Sequence, residues 1–595
     1  MTTSGVEEPG TGSGGGTGTG TDESGADALL AGLRAAGVDV VFANLGSDHA
    51  GIIESLAAAR RDGEETPAVV LAPHEASAMH AAHGYAAVTG RPQAVFVHVD
   101  VGTANLGGAV HNAARARIPA LIFAGLTPYT LEGELPGTRN SYPNHLQDVH
   151  DQHALVRPYT KWSYDLRTGT NARQVVLRAL QLAASSPKGP VYLTAAREVL
   201  AMRGAGRHPD PALWAPIDPV PAPDDAIREM VAAIAEARFP VLVTSGLGRE
   251  PESVRHLVEL AETMGMGVVN ALPSALAFPA DHDLHIGYLA DPVLAEADLL
   301  LVVDSGAPWM PAIAAPRPDA AVYVIDSDPL QESIPLWYLE ARRFVRADPE
   351  VAVAQLTAAA HVTPDRGDVE GRRARLGAVH AKQRAAWAAE RNDARLTAAT
   401  VATALHALVD DDTVLLNESI SNASTVFRHF PRTRPGTLLA SGGSSLGWHG
   451  GAAVGIKLAR PDVTVVAIVG DGSYHLSEPT STYWMAAQYG TPFLTVILDN
   501  GGWNATKQNV LRQHAGGAAK ETARYFVNLG QTTDLAGVAL AAGGAHAATV
   551  DDPSKLEAAL SDGLAAVRDG RCAVIRVILE AVSDEPADIP PAGSA

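Results

Sequence analysis

The sequence predicts an α/β fold with three doubly wound parallel-sheet domains. Continuous apolar runs of strand length alternate with helix-like segments, which is the pattern of a parallel sheet covered by helices on both faces. A Pro-rich stretch at 208–225 and a charged, helix-prone stretch at 365–395 divide the chain into three parts. The 595 residues exceed what one hydrophobic core can organise, which also indicates several domains.

The first predicted domain covers residues 26–200. Its strands are predicted at 40–43, 69–71, 93–99, 120–126 and 190–195. Residues 1–25 before it are rich in Gly, Thr and Ser and lack a basic and apolar signal pattern, so we expect a disordered tail and no targeting segment. Residues 201–225 after it are predicted to form a linker.

The second and third predicted domains follow the same alternation. The central domain covers 226–360, with strands at 241–244, 299–303 and 322–325, and a connector follows at 361–395. The third domain covers 396–585 and ends in a tail at 586–595. We expect it to carry the main chemistry because it contains the most specific motif of the chain.

Composition excludes several classes of partner. A net charge of −21 argues against nucleic acid, because phosphate binding requires a basic face. No apolar run approaches the length of a membrane span, so we expect no membrane partner. The single cysteine, Cys572, rules out an intrachain disulfide framework and suits a reducing compartment. These features together favour a cytoplasmic protein.

Two polar clusters in the third domain follow predicted parallel strands. The strand at 463–469 ends in Gly-Asp-Gly at 470–472, a helix is predicted at 481–489, and the strand at 492–498 ends in Asp-Asn-Gly-Gly at 499–502. Strand ends of this kind meet at the ligand-binding edge of an open α/β sheet. Asp471, Asn500 and the carbonyl of Gly502 are hard oxygen ligands suited to Mg²⁺. The glycines allow a diphosphate to approach the backbone closely.

This pair of clusters, separated by 26 residues, resembles the thiamine diphosphate (ThDP) signature of the pyruvate decarboxylase, acetolactate synthase and benzoylformate decarboxylase superfamily. That superfamily usually has Asn-Asn in the second cluster, and here Asp499 replaces the first asparagine. The resemblance extends over nearly the whole chain beyond the tail. It implies pyrimidine-binding, central and diphosphate-binding domains in this order, with ThDP and Mg²⁺ as cofactors.

Glu75 is the single acidic residue in an apolar helix start, where a carboxylate needs a partner. The resemblance implies that it shares a proton with N1′ of the aminopyrimidine; the alternative is a carboxylate that only stabilises a helix N-terminus. This chain also resembles benzoylformate decarboxylase at three further places. That family has a serine in a glycine turn, a histidine before a Gly-Thr-x-Asn turn and a histidine in a Phe-Pro-x-x-His loop. Ser47, His98 and His282 match these positions as candidate catalytic residues, and we expect the turn at 102–105.

The histidine of such a Phe-Pro-x-x-His loop is not always catalytic, so His282 remains open between a catalytic and a structural role. In the third domain, the hydroxyl and amide groups at 415–425 form a phosphate-receiving segment at a helix start. The resemblance further implies that Leu446 wedges the cofactor into a bent conformation. The residues implied to bind the cofactor are Glu75, Ser421, Leu446, Gly470, Gly472, Ser473, Asn500 and Gly502.

The resemblance implies ylide attack on a 2-oxo acid and decarboxylation to an enamine, after which the routes divide. Protonation releases an aldehyde, whereas attack on a carbonyl acceptor gives an acyloin, as in acetolactate synthase. The segment 304–309 lacks the Arg and Asp-Arg pattern of flavin-containing relatives, so we expect no FAD. A 2-hydroxyacyl-CoA lyase or oxalyl-CoA decarboxylase-like enzyme and a non-catalytic homologue remain alternatives. Trp503 fits either a large acyl group or a packing role.

Glu75 and the metal motif lie in different domains and would hold opposite ends of one cofactor. In resembling enzymes these two domains come from different subunits. The resemblance therefore implies a homodimer or homotetramer with active sites at the dimer interface.

Overall fold

The computed structural model of the chain describes residues 23–204, 206 and 208–582, and it confirms an α/β fold with three parallel sheets. Most of the predicted N-terminal tail and the whole predicted C-terminal tail lie outside the described residues. The first helix begins at Gly25, with Ser24 as its N-cap, so the last residue of the predicted tail is already helical. The division into domains at the predicted boundaries remains a prediction.

The first sheet has six strands in the order β2-β1-β3-β4-β6-β5, all parallel. The strands are β1 (Val40–Ala43), β2 (Ala68–Leu71), β3 (Gln93–Val97), β4 (Ala120–Leu126), β5 (Ser163–Leu166) and β6 (Pro190–Ala196). The helices are α1 (Gly25–Ala35), α2 (Ala50–Asp62), α3 (Glu75–Thr89), α4 (Val99–Arg115), α5 (Pro143–Leu146), α6 (Ala172–Ala184) and α7 (Arg197–Ala201).

The second sheet has five parallel strands in the order β11-β10-β9-β7-β8. The strands are β7 (Pro240–Thr244), β8 (Gly267–Asn270), β9 (Leu299–Val303), β10 (Ala321–Asp326) and β11 (Arg343–Arg346). The helices are α8 (Asp224–Glu236), α9 (Pro251–Met264) and α10 (Pro349–Val362), and α11 (Val369–Glu390) occupies most of the predicted connector.

The third sheet has six parallel strands in the order β13-β12-β14-β15-β17-β16. The strands are β12 (Val414–Glu418), β13 (Leu438–Leu439), β14 (Val465–Gly470), β15 (Leu494–Asp499), β16 (His546–Val550) and β17 (Ala573–Ile578). The helices are α12 (Ala398–His406), α13 (Ala423–His429), α14 (Trp448–Ala459), α15 (Asp471–Leu476), α16 (Pro479–Tyr489), α17 (Asn504–Gln513), α18 (Ala518–Glu521), α19 (Leu535–Gly543) and α20 (Leu556–Arg568).

Helices α3 and α14 pack against each other and join the first domain to the third. Glycines make this close approach possible: a Cβ on Gly84 would overlap the backbone of Ala452, and one on Gly455 would overlap the carbonyl of Ala81. A continuous hydrophobic core extends across this contact between the two sheets. The start of α3 carries Glu75 and the start of α14 follows Leu446, so this packing fixes the positions of both predicted site residues within one chain.

The predicted strand at 93–99 is too long, because β3 ends at Val97 and His98 is already the N-cap of α4. The predicted turn at 102–105 is also wrong, since these residues lie within α4. Thr103 fits the helix because its hydroxyl donates to the carbonyl of Val99, one turn earlier, at 2.6 Å. None of the helices within the described residues combines the length and the apolar character needed to cross a membrane.

Candidate active site

The first-domain site residues follow three neighbouring strands. Glu75 begins α3 after β2, Ser47 begins a short 3₁₀ turn (Ser47–His49) after β1, and His98 follows β3. Because β2, β1 and β3 are adjacent and parallel, their carboxyl ends lie at one edge of the sheet. The fold therefore brings the predicted residues Glu75, Ser47 and His98 to a common edge.

Glu75 is buried and is held by the neighbouring helix. Its Oε2 accepts a hydrogen bond from Nδ2 of Asn105 at 3.0 Å, and Gly102 leaves the space in which Oε1 lies. His74 caps the helix by accepting from the amide of Ala76. The segment 102–105 thus contacts Glu75 from inside a helix, which is why it is polar and contains glycine although it forms no turn.

The clearest residue that sequence reasoning missed is Asp48. Its Oδ1 lies 2.5 Å from Nδ1 of His98, and its Oδ2 accepts from the amide of Val99 at 3.3 Å. The hydrogen bond that His98 donates to Asp48 raises the pKa of His98, against the opposing effect of partial burial. Burial would raise the pKa of Asp48, but hydrogen bonds from His49 and His98 hold it well below its usual range. Asp48 is therefore an ionised partner that favours the protonated form of the imidazole.

Two glycines make room for this pair. A Cβ on Gly46 would overlap Nδ1 of His98, and a Cβ on Gly125 in β4 would overlap the carboxylate of Asp48. Ser47 is exposed next to the pair. The signal that could have revealed Asp48 is a carboxylate directly after a glycine turn at the end of a buried strand.

The metal motif has the predicted arrangement at the ends of β14 and β15. Asp471 begins α15, its side chain is buried, and its Oδ2 has no hydrogen-bond partner among the described residues. Burial, with a smaller contribution from nearby Asp499, raises the pKa of Asp471 to about 6. A buried carboxylate oxygen without a partner needs a cation or water, so the residues present fit a divalent metal ion.

The other proposed metal ligands lie in the turn after β15. Oδ1 of Asn500 accepts from the amide of Gly502 at 3.2 Å, and Gly501 and Gly502 both have positive φ angles. Gly502 is irreplaceable here because a Cβ would overlap the carbonyl of Val527. No cluster of three or more His, Cys, Asp or Glu side chains suited to a metal occurs in the described part of the chain. A cation at this motif would rely on one carboxylate together with amide and carbonyl oxygens.

The structure explains the unusual Asp499. Its Oδ2 accepts from Nε of Arg576 in the adjacent strand β17 at 2.7 Å, and its Oδ1 accepts from the amide of Gly501 at 2.9 Å. Gln531 donates to the backbone carbonyl of Asp499 and accepts from Arg576 through its own carbonyl. The charge of Asp499 is thus paired, and Arg576 is a second residue that sequence reasoning missed. Its signal was an arginine within an otherwise apolar strand.

The proposed diphosphate-binding residues surround the same edge. Ser421 is exposed in a 3₁₀ turn (Ile420–Asn422) after β12, and Gly470 is the N-cap of α15. The hydroxyl of Ser473 donates to the carbonyl of Glu418 at 2.9 Å and so ties the Gly-Asp-Gly segment to the end of β12. The ring of Trp503 lies against Gly472, which supports a packing role for this residue.

Leu446 and His282 have different surroundings. Leu446 is half-buried directly before α14, between segments contacted by the first and third domains. His282 lies in a central-domain loop, with Nε2 at 3.3 Å from Oε1 of Glu262, Nδ1 accepting from the amide of Leu284 at 3.1 Å, and its ring against Phe278. These contacts are all within the central domain and support the structural interpretation of His282.

Three family models match the chain. They are the N-terminal TPP binding domain at residues 23–155, the central domain at 227–335, and the C-terminal TPP binding domain at 420–577 of thiamine pyrophosphate enzymes. The chain belongs to the thiamine pyrophosphate enzyme family. Its first and third domains are therefore ThDP-binding domains, which confirms the resemblance inferred from the sequence.

This ThDP enzyme is similar to both decarboxylases and carboligases. It is 29% identical over 492 residues to a benzoylformate decarboxylase from Pseudomonas aeruginosa, covering 80% of this chain and 85% of that protein. It is 23% identical to the acetolactate synthase large subunit of Lactococcus lactis, covering 82% of each chain. A solved Rhodococcus jostii ThDP-dependent 4-hydroxybenzoylformate decarboxylase shares the fold, with a TM-score of 0.75, 22% identity, and coverage of 94% and 99% of the two chains.

Proposed function

We propose that this ThDP enzyme is a Mg²⁺-dependent 2-oxo acid decarboxylase that releases CO₂ and an aldehyde. The Asp48–His98 pair carries this proposal, because the carboxylate raises the pKa of a histidine that lies at the same ligand-binding edge of the first sheet as Glu75. Aldehyde release requires a proton donor at the former carbonyl carbon, whereas carboligation requires that this carbon attack an acceptor. A charged imidazole favours the first outcome.

Mg²⁺ would be held by Asp471, Asn500 and the carbonyl of Gly502, with Ser421, Gly470, Gly472 and Ser473 around the diphosphate. When bound, ThDP supplies the electron sink that allows the bond between the carbonyl and carboxyl carbons to break. Glu75 would hold a proton at N1′ of the pyrimidine through Oε1, because Oε2 is already occupied by Asn105.

His98 would deliver its proton from Nε2, because Nδ1 is engaged by Asp48. Ser47 is exposed beside this pair, where its hydroxyl could bind the carboxylate of the substrate. His282 is assigned only a structural role, since its contacts anchor it to α9 and its own loop. The named relatives act on benzoylformate and 4-hydroxybenzoylformate, so we infer a 2-oxo acid with an aromatic acyl group as the substrate class.

Carboligation, with a carbonyl acceptor, is the second candidate, and the similarity to acetolactate synthases favours it. No contact among the described residues supports the alternative of a CoA-dependent lyase. A non-catalytic homologue would have little reason to keep both a buried carboxylate oxygen without a partner at Asp471 and the Asp48–His98 pair.

The experiment is to incubate the enzyme loaded with ThDP and Mg²⁺ with benzoylformate, 4-hydroxybenzoylformate and pyruvate. Released CO₂, aldehyde and acyloin are measured together. We expect one aldehyde per CO₂ from an aromatic substrate, with and without added aldehyde acceptor. Acyloin as the main product at low acceptor concentration would favour the carboligation candidate, and bound ThDP without CO₂ release from any 2-oxo acid would overturn both.

A further inference from the structure

The residue before Leu446 is held by a side chain from the first domain. Asn112 in α4 donates from Nδ2 to the carbonyl of Ser445 at 2.8 Å, and its Oδ1 accepts from the amide of Ser445 at 3.0 Å. Asn112 is 0% exposed. One carboxamide thus satisfies both backbone groups of Ser445, as a neighbouring strand would.

Close approach is built into both sides of this contact. A Cβ on Gly108 in α4 would overlap the hydroxyl of Ser445, and a Cβ on Gly443 would overlap Oδ1 of Asn112. His111 contacts the preceding residue, Ser444, through Nε2. The loop therefore lies directly on α4, and its position follows the position of that helix.

The residues after Leu446 are held from the opposite side by Glu418 of the third domain. The buried carboxylate accepts from the amides of Gly447 at 2.8 Å and Trp448 at 3.0 Å through Oε1. Its Oε2 accepts from the amide and Nδ1 of His449 at 3.1 and 2.8 Å. Leu446 is thus bracketed by one side chain from each ThDP-binding domain.

We propose that Asn112 is a positioning residue that sets the location of Leu446, and through it the conformation of the bound cofactor. This inference rests on the proposed function. Helix α4 begins directly after His98 and bends at Gly107, and Asn112 lies in the part beyond this bend, so the position of that half of the helix sets the backbone next to Leu446. The diphosphate residues lie elsewhere, at the ends of β12, β14 and β15. Loss of the Asn112 contact therefore affects reactivity more than cofactor affinity.

The test compares Asn112→Ala with wild type, using three measurements on protein loaded with ThDP and Mg²⁺. We expect the rate of deuterium exchange at the acidic thiazolium carbon of ThDP, followed by NMR after acid quench, to fall about 10- to 100-fold, as expected for a misplacement of about 1 Å. The dissociation constant of ThDP, measured by calorimetry, should change by less than about threefold. The value of kcat should fall with the exchange rate. Asn112→Asp keeps the acceptor for the Ser445 amide, so its exchange rate should lie between those of wild type and Asn112→Ala. It also replaces the alanine variant in the test if that variant does not fold.

The matched control is Asn270→Ala. Asn270 is a buried asparagine of the central domain; its Nδ2 donates to the carbonyl of Thr244 at 3.3 Å and its Oδ1 accepts from the amide of Ala277 at 3.0 Å. This variant should lower the melting temperature without changing the exchange rate of bound ThDP. If both Asn112 variants lower only the melting temperature, the positioning role is wrong. If wild-type protein binds no ThDP or shows no enzyme-dependent exchange, the proposed function fails and not this inference alone.

Discussion

A carboxylate oxygen of Asp48 holds the imidazole of His98, and this contact raises the pKa of His98. An imidazole with a raised pKa stays charged below that pKa and loses its proton as the pH rises through it. We therefore expect the rate of aldehyde release to be constant at lower pH and to fall on the alkaline side. Asp48 therefore determines the pH at which this fall in rate, the alkaline limb of the profile, begins.

Asp48→Asn removes the charge that stabilises protonated His98. We expect the alkaline limb of the kcat profile to move to lower pH, and kcat to fall by about 10- to 100-fold at neutral pH. Asp165→Asn, which changes a half-buried carboxylate elsewhere in the first domain, is the control and should leave the profile in place. An unmoved limb in Asp48→Asn would show that His98 is not the donor.

Asp471 contributes the only carboxylate among the proposed metal ligands, and its Oδ2 has no partner in the described chain. Asp471→Asn keeps the size of the side chain but removes its charge. We expect calorimetry to show that Mg²⁺-dependent ThDP binding weakens by about 100-fold. Asp462→Asn, an exposed carboxylate of the same domain, should bind the cofactor normally. Unchanged binding in the Asp471 variant would refute the metal assignment.

At the scale of secondary-structure elements, strands β15 and β17 are joined by the buried pair of Asp499 and Arg576. Arg576→Met leaves a buried carboxylate without its partner beneath the metal motif. We expect the free energy of unfolding in urea to fall by about 3–5 kcal/mol, whereas Arg460→Met, which breaks an exposed pair with Asp462, should change it little.

The double variant Asp499→Asn with Arg576→Met removes both charges and introduces the asparagine that resembling enzymes have. Because neither charge is then left unpaired, we expect it to recover much of the stability lost in Arg576→Met. Equal losses in the single and double variants would indicate that the arginine acts through packing and not through its charge.

At the scale of the whole molecule, the first domain presents an apolar surface in segment 129–155. Tyr142 is 90% exposed and Leu146 is 86% exposed, which is unusual for large apolar side chains and fits a covered interface. We propose that a second copy of the chain covers it and that Glu75 and Asp471 of different subunits share one cofactor. The assembly is expected to be a homodimer or homotetramer by light scattering.

Mixing inactive Glu75→Ala with inactive Asp471→Ala should then restore part of the activity, because a mixed dimer contains one site with both residues intact. Exchange of tagged subunits is measured first, and mixing Glu75→Ala with itself is the control. Proven heterodimers without activity would contradict the shared site.

The central domain is joined to the first by Arg117. Its guanidinium contacts Asp304 at 3.1 Å and Asp326 at 2.5 Å at the carboxyl ends of β9 and β10, the edge where an open sheet binds ligands. These side chains occupy the edge, so we expect purified protein to lack a flavin absorbance band. A cavity of about 580 Å³ lies beside them, and its volume is within the range of ligand sites. Flavin absorbance at a stoichiometric level in the purified protein would therefore contradict this prediction.

Fold class and much of the site could be predicted from sequence, because the relevant signals are local. Apolar runs encode buried parallel strands, and strands predicted at 40–43, 120–126 and 299–303 have the same bounds in the structure. Asp471 and Asn500 could be found because each directly follows such a run. The missed strands β5, β8, β11, β13, β16 and β17 are edge strands or short or interrupted segments, where the apolar signal is weak.

The partners of the site residues depended on the tertiary structure. Asp48 and His98 are 50 positions apart, Asp499 and Arg576 are 77 apart, and Asn112 and Ser445 are 333 apart. Sequence alone determined which residue types end each strand, since periodicity and turn chemistry act over a few residues. Only the packing of strands and helices decided which of these residues contact each other. A hydrogen bond or ion pair forms wherever two groups meet in space, whatever their separation along the chain.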